Sequence, residues 1–187
     1  RIEAGTFAIA AAVSRGDVRI KNINPEHLEI VLNKMRQANV QYVLEDDNTV
    51  LHIKPTTILN PVAIDTRPYP GFPTDLQAPF SVLMTQAKGT SKIFETMYDG
   101  RLGYATELAK MGADVSTADA HTLIINGPTP LYGKHITTFD IRAGATLIIA
   151  ALIAQGDSII DKVELVDRGY EHIEERLGKL GAVIKRI

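Results

Sequence analysis

An α/β fold of three repeated units around buried central helices is what the sequence predicts. Two observations predict it. One order of features recurs three times along 187 residues, and the helices in that order come in two kinds. The units span residues 2–55, 64–128 and 131–187, and together they read as a single domain over 1–187.

Each unit contains a first helix: IEAGTFAIAAAVSRG, TDLQAPFSVLMTQAKG and DIRAGATLIIAALIAQG. These segments carry apolar runs with no polar face, so their helices are expected to be buried all round. Each is expected to stop at a glycine, Gly16, Gly89 and Gly156, in the left-handed conformation that closes a last turn. A short alternating stretch then reads as a strand: DVRIKNI, TSKIFETM and DSIIDKVELV.

A second, amphipathic helix follows. Its apolar positions are Leu28, Val31, Leu32 and Met35 in the first unit and Tyr170, Ile173, Leu177 and Leu180 in the third. These helices are expected to end at Asn39, Gly112 and Gly181, residue types that tolerate the left-handed region. A hairpin comes next: residues 42–44 and 50–53 flank the turn Asp46-Asp47-Asn48, and 115–117 with 122–125 look alike. In the third unit, residues 183–187 come before any second strand. Strands and amphipathic helices outside, with three apolar helices inside, satisfy both patterns.

Composition then narrows the function. Twenty Lys and Arg against 22 Asp and Glu leave a formal net charge of −2 without a basic run, so nucleic acid is not an expected partner. With no cysteine, these residues hold no disulfide framework, thiolate metal site or cysteine nucleophile. The longest near-continuous apolar run, 145–154, is about half a membrane span, and no signal-peptide pattern opens the chain. A cytoplasmic protein without a membrane partner is expected. The chain begins at Arg1, directly before a helix, and reads as a piece of something longer. The five histidines show no metal-ligand spacing and are expected in surface or cap roles. No glycine-rich nucleotide loop occurs, and no cofactor is expected.

The placement of arginine is the anomaly. Helix N-termini favour Asp and Glu and mildly disfavour Arg. Yet Asp140-Ile141-Arg142, Asp99-Gly100-Arg101 and Asp167-Arg168-Gly169 each read as a capping Asp followed within two residues by Arg. Taken singly, each is an N-cap beside a solvated or paired arginine. Repeated at equivalent positions, Arg next to free helix N–H groups makes a phosphate or carboxylate site. The first unit departs from the scheme, with Glu3 and Glu26 at the comparable places. A second signal is RPYPGFPTDLQAPF over 67–80, a proline-stiffened approach to a helix. Either Thr74 or Asp75 is simply its N-cap, or Asp75 is a carboxylate fixed at the helix mouth to act as a general base. Both readings stand on composition.

At these residues a family resemblance emerges. RIEAGTF, PYPGFPTDLQAP, FETMYDGR with ELAKMGADV, DIRAGATLIIAALIAQG and VDRGYEHIEERLGKLGA resemble the enolpyruvyl transferases, in the branch whose acceptor is UDP-N-acetylglucosamine. The resemblance runs in order over essentially the whole chain. It implies an inside-out α/β barrel of three βαβαββ-type units, facing a second such domain across a cleft toward which helix N-termini point. It implies that an inserted partner domain and an N-terminal segment, with a mobile-loop cysteine and a phosphate-binding lysine, lie outside these residues. The implied reaction moves enolpyruvyl from phosphoenolpyruvate to the 3′-hydroxyl of UDP-N-acetylglucosamine. It passes through a phospholactoyl tetrahedral intermediate and releases phosphate, the first committed step of peptidoglycan synthesis. The chain alone is expected to be inactive.

By motif, Asp75 matches the residue that binds the sugar hydroxyl and takes its proton, and Met97 a position in contact with the nucleotide sugar. Arg101, Arg142 and Arg168 match arginines on the phosphoenolpyruvate side, and Asp140 the aspartate beside the reacting carbon. Asp75, Asp140 and Arg168 are thus the expected catalytic residues. Asp75, Met97, Arg101, Arg142 and Arg168 are the expected substrate contacts. Two positions depart from the family pattern: Asp99-Gly100 replaces Glu-Asn, and Met97 replaces Ile or Val. Two alternatives stay open. One is an enzyme like 5-enolpyruvylshikimate-3-phosphate synthase, against which the proline tract argues; the other is a non-catalytic nucleotide-sugar or anion-binding module.

Overall fold

The computed structural model describes residues 1–187. Helix α1 (Ile2–Val13) is buried from Gly5 to Val13, as a segment without a polar face must be. Its left-handed stop is Arg15 (φ 57°) and not Gly16, whose amide nevertheless returns to the Ala11 carbonyl and closes the turn. After strand β1 (Val18–Lys21), Asn24 caps a 3₁₀ turn over Pro25–Leu28 that runs into helix α2 (Glu29–Gln37). Leu28, Val31, Leu32 and Met35 all reach the core, and the chain leaves α2 through left-handed Asn39 (φ 67°), both as expected.

Strands β2 (Tyr42–Glu45) and β3 (Val50–Ile53) make the expected hairpin, with Asp46, Asp47 and Asn48 all at positive φ in the turn. β1 pairs with the other edge of β3, so the sheet order is β1-β3-β2. β3 is buried at all four positions, on both faces, which overturns the surface role expected for His52. Its Nδ1 lies 2.7 Å from Glu45 Oε1 and its Nε2 2.8 Å from Asp17 Oδ1.

Strand β4 (Ala63–Asp65) leads through the proline tract to helix α3 (Thr74–Thr85), buried along nearly all its length. Gly89 is not the stop of α3. The helix ends four residues earlier, and Gly89 (φ 135°) is the first residue of β5 (Gly89–Phe94). Helix α4 (Tyr104–Lys110) ends at Gly112 (φ 102°), and β6 (Asp114–Thr117) and β7 (Thr122–Gly127) form the second hairpin. The four-stranded sheet has the order β4-β5-β7-β6, with β4 parallel to β5 and the other pairs antiparallel.

Strand β8 (His135–Thr137), helix α5 (Ile141–Ile153) and strand β9 (Ile159–Asp161) follow, with β8 and β9 parallel. Here Gly156 (φ 84°) does stand left-handed beyond the helix. The amphipathic helix expected over Tyr170–Leu180 is shorter and is preceded by a separate turn of helix: α6 (Glu164–Asp167) and α7 (Ile173–Lys179). Left-handed Lys162 and His172 set the two starts. Tyr170 is buried between them, whereas Leu180 lies past the end of α7 and is 54% exposed. Residues 183–187 form no strand.

Helices α1, α3 and α5 pack on one another at the centre, and one core joins all three to the sheets. A second cluster ties Phe7 of α1 and Ala145 and Ile148 of α5 to Val166, Tyr170, Ile173 and Leu177. No helix is long and apolar enough to cross a membrane.

Candidate active site

The site begins at the mouth of α3. Pro73 occupies the N-cap position and has no side-chain acceptor, so α3 has no side-chain cap at all. Neither Thr74 nor Asp75 supplies one, which frees both for other partners. Asp75 lies in the first turn, where the helix field favours a carboxylate. Its Oδ1 accepts from Arg142 Nε and lies 3.4 Å from Arg101 Nη1.

Asp140 is the one expected cap that the structure forms. Its Oδ1 accepts from the amides of Arg142 (2.7 Å) and Ala143 (2.8 Å) at the mouth of α5. This cap aims Arg142 across the gap to Asp75. Asp99 is not a cap: α4 starts only at Tyr104, after a turn through left-handed Gly100 (φ 71°). The Asp99 carboxylate is almost fully exposed and faces His121 Nε2 at 3.2 Å. Asp167 is not a cap either, since it ends α6. Arg186 grips it with two bonds of 2.7 Å and holds its carboxyl below the ordinary carboxylate range.

Arg101 reaches the cluster from the 100–103 turn. Its guanidinium stacks 3.9 Å from the Tyr98 ring centroid, and Nη1 donates to Thr74 Oγ1 at 3.1 Å. Its carbonyl accepts from Gln77 Nε2 at 3.4 Å. Behind it, the buried Tyr104 hydroxyl donates to Gln77 Oε1 at 2.6 Å, and burial pushes that phenol well above its usual value. The result is a small cleft with Gln77, Arg101, Tyr104, Phe139, Asp140 and Arg142 in its walls. Tyr170 stands nearby, its hydroxyl 2.8 Å from Thr6 Oγ1, and its phenol is likewise raised by burial.

Asp75 therefore touches both Arg101 and Arg142, and Asp140 bonds the Arg142 amide beside them. Arg168 is not in that cluster. It is exposed and makes no ion pair, although Gly169 packs so closely on Ile141 that the chain here is held against the start of α5. Met97 is half-buried, and its backbone N–H donates to Glu95 Oε1 at 2.8 Å. Thr74 entered the sequence reading only as a candidate N-cap, and Gln77, Glu95 and Tyr104 did not enter it at all. Only Glu95 left a trace in the sequence: alternation along β5 puts it on the inward face of Ser91 and Ile93, an odd place for a carboxylate. No cluster of three or more His, Asp or Glu residues is placed to hold a metal ion.

The mouths of α3 and α5 place one carboxylate between two guanidiniums on an α/β domain, an arrangement whose chemistry suits anions. Residues 1–177 match the family described as EPSP synthase (3-phosphoshikimate 1-carboxyvinyltransferase), and the chain belongs to that family. Among its relatives, the UDP-N-acetylglucosamine 1-carboxyvinyltransferase of Acidobacterium capsulatum is 45% identical over 188 residues. The match takes in all of this chain and 42% of that protein. The protein of the same name from Desulfofundulus thermocisternus is 42% identical over 186 residues, 75% of its length. The enolpyruvyl transferase NikO from Streptomyces tendae superposes with a TM-score of 0.90 at 27% identity, over 98% of this chain and 43% of NikO. EPSP synthase from Acinetobacter baumannii, at 16% identity and a TM-score of 0.61, shares the fold. The chain thus spans about two fifths of the length of most of these relatives.

Proposed function

We propose that this chain is one domain of an enzyme that transfers enolpyruvyl from phosphoenolpyruvate to the 3′-hydroxyl of UDP-N-acetylglucosamine, releasing phosphate for peptidoglycan synthesis. In this reading residues 1–187 form a single inside-out barrel of three repeated units. The central packing of α1, α3 and α5 supports it. The partner across the cleft is the inserted domain of the same cytoplasmic enzyme.

The carrying observation is the position of Asp75 between Arg101 and Arg142. An arriving phosphate or carboxylate competes with Asp75 for the two guanidiniums. Once they turn to the substrate, the Asp75 carboxylate is free to accept the proton of the sugar hydroxyl. The hydroxyl oxygen bonds C2 of the enol as C3 gains a proton. Loss of phosphate and of a C3 proton then restores the double bond. Asp140, fixed by its own cap bonds, stands beside the anion, with Arg168 approaching along the α5 mouth and Met97 contacting the nucleotide sugar. Tyr98 and Phe139, about half-exposed at the rim, add apolar surface.

The test is phosphate release by the full-length protein from phosphoenolpyruvate with UDP-N-acetylglucosamine, and with shikimate 3-phosphate as the competing acceptor. Asp75→Asn keeps the size but cannot take the proton, so kcat should fall roughly 10²–10⁴-fold with little change in nucleotide-sugar affinity. A kcat within a few-fold of wild type would leave Asp75 a positioning group, and turnover with shikimate 3-phosphate alone would reassign the acceptor.

A further inference from the structure

Glu95 is fully buried beside the cleft, and no step above uses it. Its backbone is clamped to His121, whose carbonyl accepts from the Glu95 N–H at 2.8 Å and whose Nδ1 meets the Glu95 carbonyl at 2.8 Å. Three donors converge on the Glu95 side chain. Oε1 accepts from Thr66 Oγ1 and from the Met97 amide, each at 2.8 Å, and Oε2 accepts from Thr74 Oγ1 at 2.5 Å.

A carboxylate can only accept, so each partner must spend a proton on it. Thr74 has one hydroxyl proton. With that proton committed to Glu95, its oxygen turns lone pairs toward Arg101 Nη1, 3.1 Å away. The polarity of the whole chain, Arg101 to Thr74 to Glu95, is set by the buried charge. Glutamine would fill the same space at less desolvation cost. It would put an NH₂ group against Thr74, because the amide oxygen is required by Thr66 and Met97. The Thr74 proton would then be released from its role.

We propose that Glu95 is a positioning residue for the transferase site: through Thr74 it aims the Arg101 guanidinium, and through the Met97 amide it fixes the segment carrying both Met97 and Arg101. This rests on the reading of Arg101 as a phosphoenolpyruvate contact. It adds a reason, buried in the fold, for where that contact points.

The experiment compares Glu95→Gln, Thr74→Val and Thr74→Ser in the full-length protein, with Glu95→Gln repeated in an Arg101→Ala background. Loss of one oriented bond should raise the phosphoenolpyruvate KM about three- to tenfold in Glu95→Gln and in Thr74→Val, with kcat changed less. Thr74→Ser keeps the hydroxyl and should stay near wild type. In the Arg101→Ala background, Glu95→Gln should add less than about twofold, since nothing remains to aim. An unchanged KM in both Glu95→Gln and Thr74→Val would overturn the proposal. So would a rise of the same size without Arg101, which is what mere loosening of the fold predicts.

A second readout needs no turnover. The Arg101 guanidinium should give a restricted side-chain ¹⁵N NMR signal in wild type and Thr74→Ser, and an averaged one in Glu95→Gln and Thr74→Val. An Arg101 signal indifferent to Glu95 and Thr74 would refute the positioning role. If the wild-type protein fails to use phosphoenolpyruvate, the functional reading falls and this signal alone decides Glu95.

Discussion

Among the proposed substrate contacts, Arg168 is the one whose replacement best separates ligand binding from folding. Arg101 is held by Thr74, Asp75 and Tyr98, and Arg142 by Asp75, so removing either also removes structure. Arg168 is exposed and has no ion-pair partner, and Asp167 beside it is occupied by Arg186. Exposed substitutions of this kind stay within about 0.5 kcal/mol, or roughly 1–2 °C in Tm for a chain of this size. A charge-assisted bond to phosphate or carboxylate contributes about 1.5–3 kcal/mol. Arg168→Ala in the full-length protein should therefore keep its melting temperature while the phosphoenolpyruvate KM rises roughly ten- to a hundredfold. Arg168→Lys should fall between the two, because the charge returns without the planar fork. A lowered Tm with normal kinetics would assign Arg168 to the fold. The sequence located Asp75, Arg101 and Arg142 because proline stiffness and misplaced arginines are local signals. It misread Asp99 and Asp167 as caps because an Asp–Arg pair does not say where the helix begins, and Glu95 stayed hidden because its partners Thr66 and Thr74 are distant in sequence.

Elements whose limits depend on turn chemistry were legible; those set by packing were not. The β2–β3 turn and the stops at Asn39, Gly112 and Gly181 follow from residues that accept positive φ. Arg15, Lys162 and His172 adopt it too, without any such signal. Gly144 and Gly169, packed without room for a side chain against Val166 and Ile141, hold the segment around α6 in place. The first sheet also carries a charged cluster at its surface around the buried His52: Glu45 accepts from His52 and from Arg19 Nε at 2.9 Å, and Asp17 faces both of those donors. The His52 bond first, and Arg19 next, hold the Glu45 carboxyl below its ordinary value of 4.5. A carboxyl depressed in the fold stabilises above its unfolded value, and that contribution is lost as pH falls through the folded one. Glu45→Gln should therefore melt below wild type at pH 7, and the gap should close on acidification below about pH 4.5. A gap equally wide at pH 3 and pH 7 would mean that the carboxylate charge contributes nothing.

At the scale of the molecule, the three central helices do two jobs. Their sides make the core, and the mouths of α3 and α5 carry Asp75, Asp140 and Arg142 to one face. That face is open: the side chains of Asp75 and Arg142 are each 32% exposed. Charges in contact with water hold a phosphate weakly, and a tetrahedral phospholactoyl intermediate left in water is open to side reactions. Stabilising developing charge requires donors fixed around it in a site that excludes water. In the proposed reading residues 1–187 supply one wall of such a site; they span 42% of the Acidobacterium relative. The 187-residue chain on its own should accordingly melt cooperatively around its central core. Given phosphoenolpyruvate and UDP-N-acetylglucosamine, it should release no phosphate above the blank, while the full-length protein turns over under the same conditions. The melt establishes that a folded chain is being assayed. Phosphate release by that folded chain within about a hundredfold of the full-length rate would show that a single wall suffices for the roughly 10⁶-fold or larger acceleration typical of enzymes. The catalytic burden would then lie on Asp75, Arg101 and Arg142 alone.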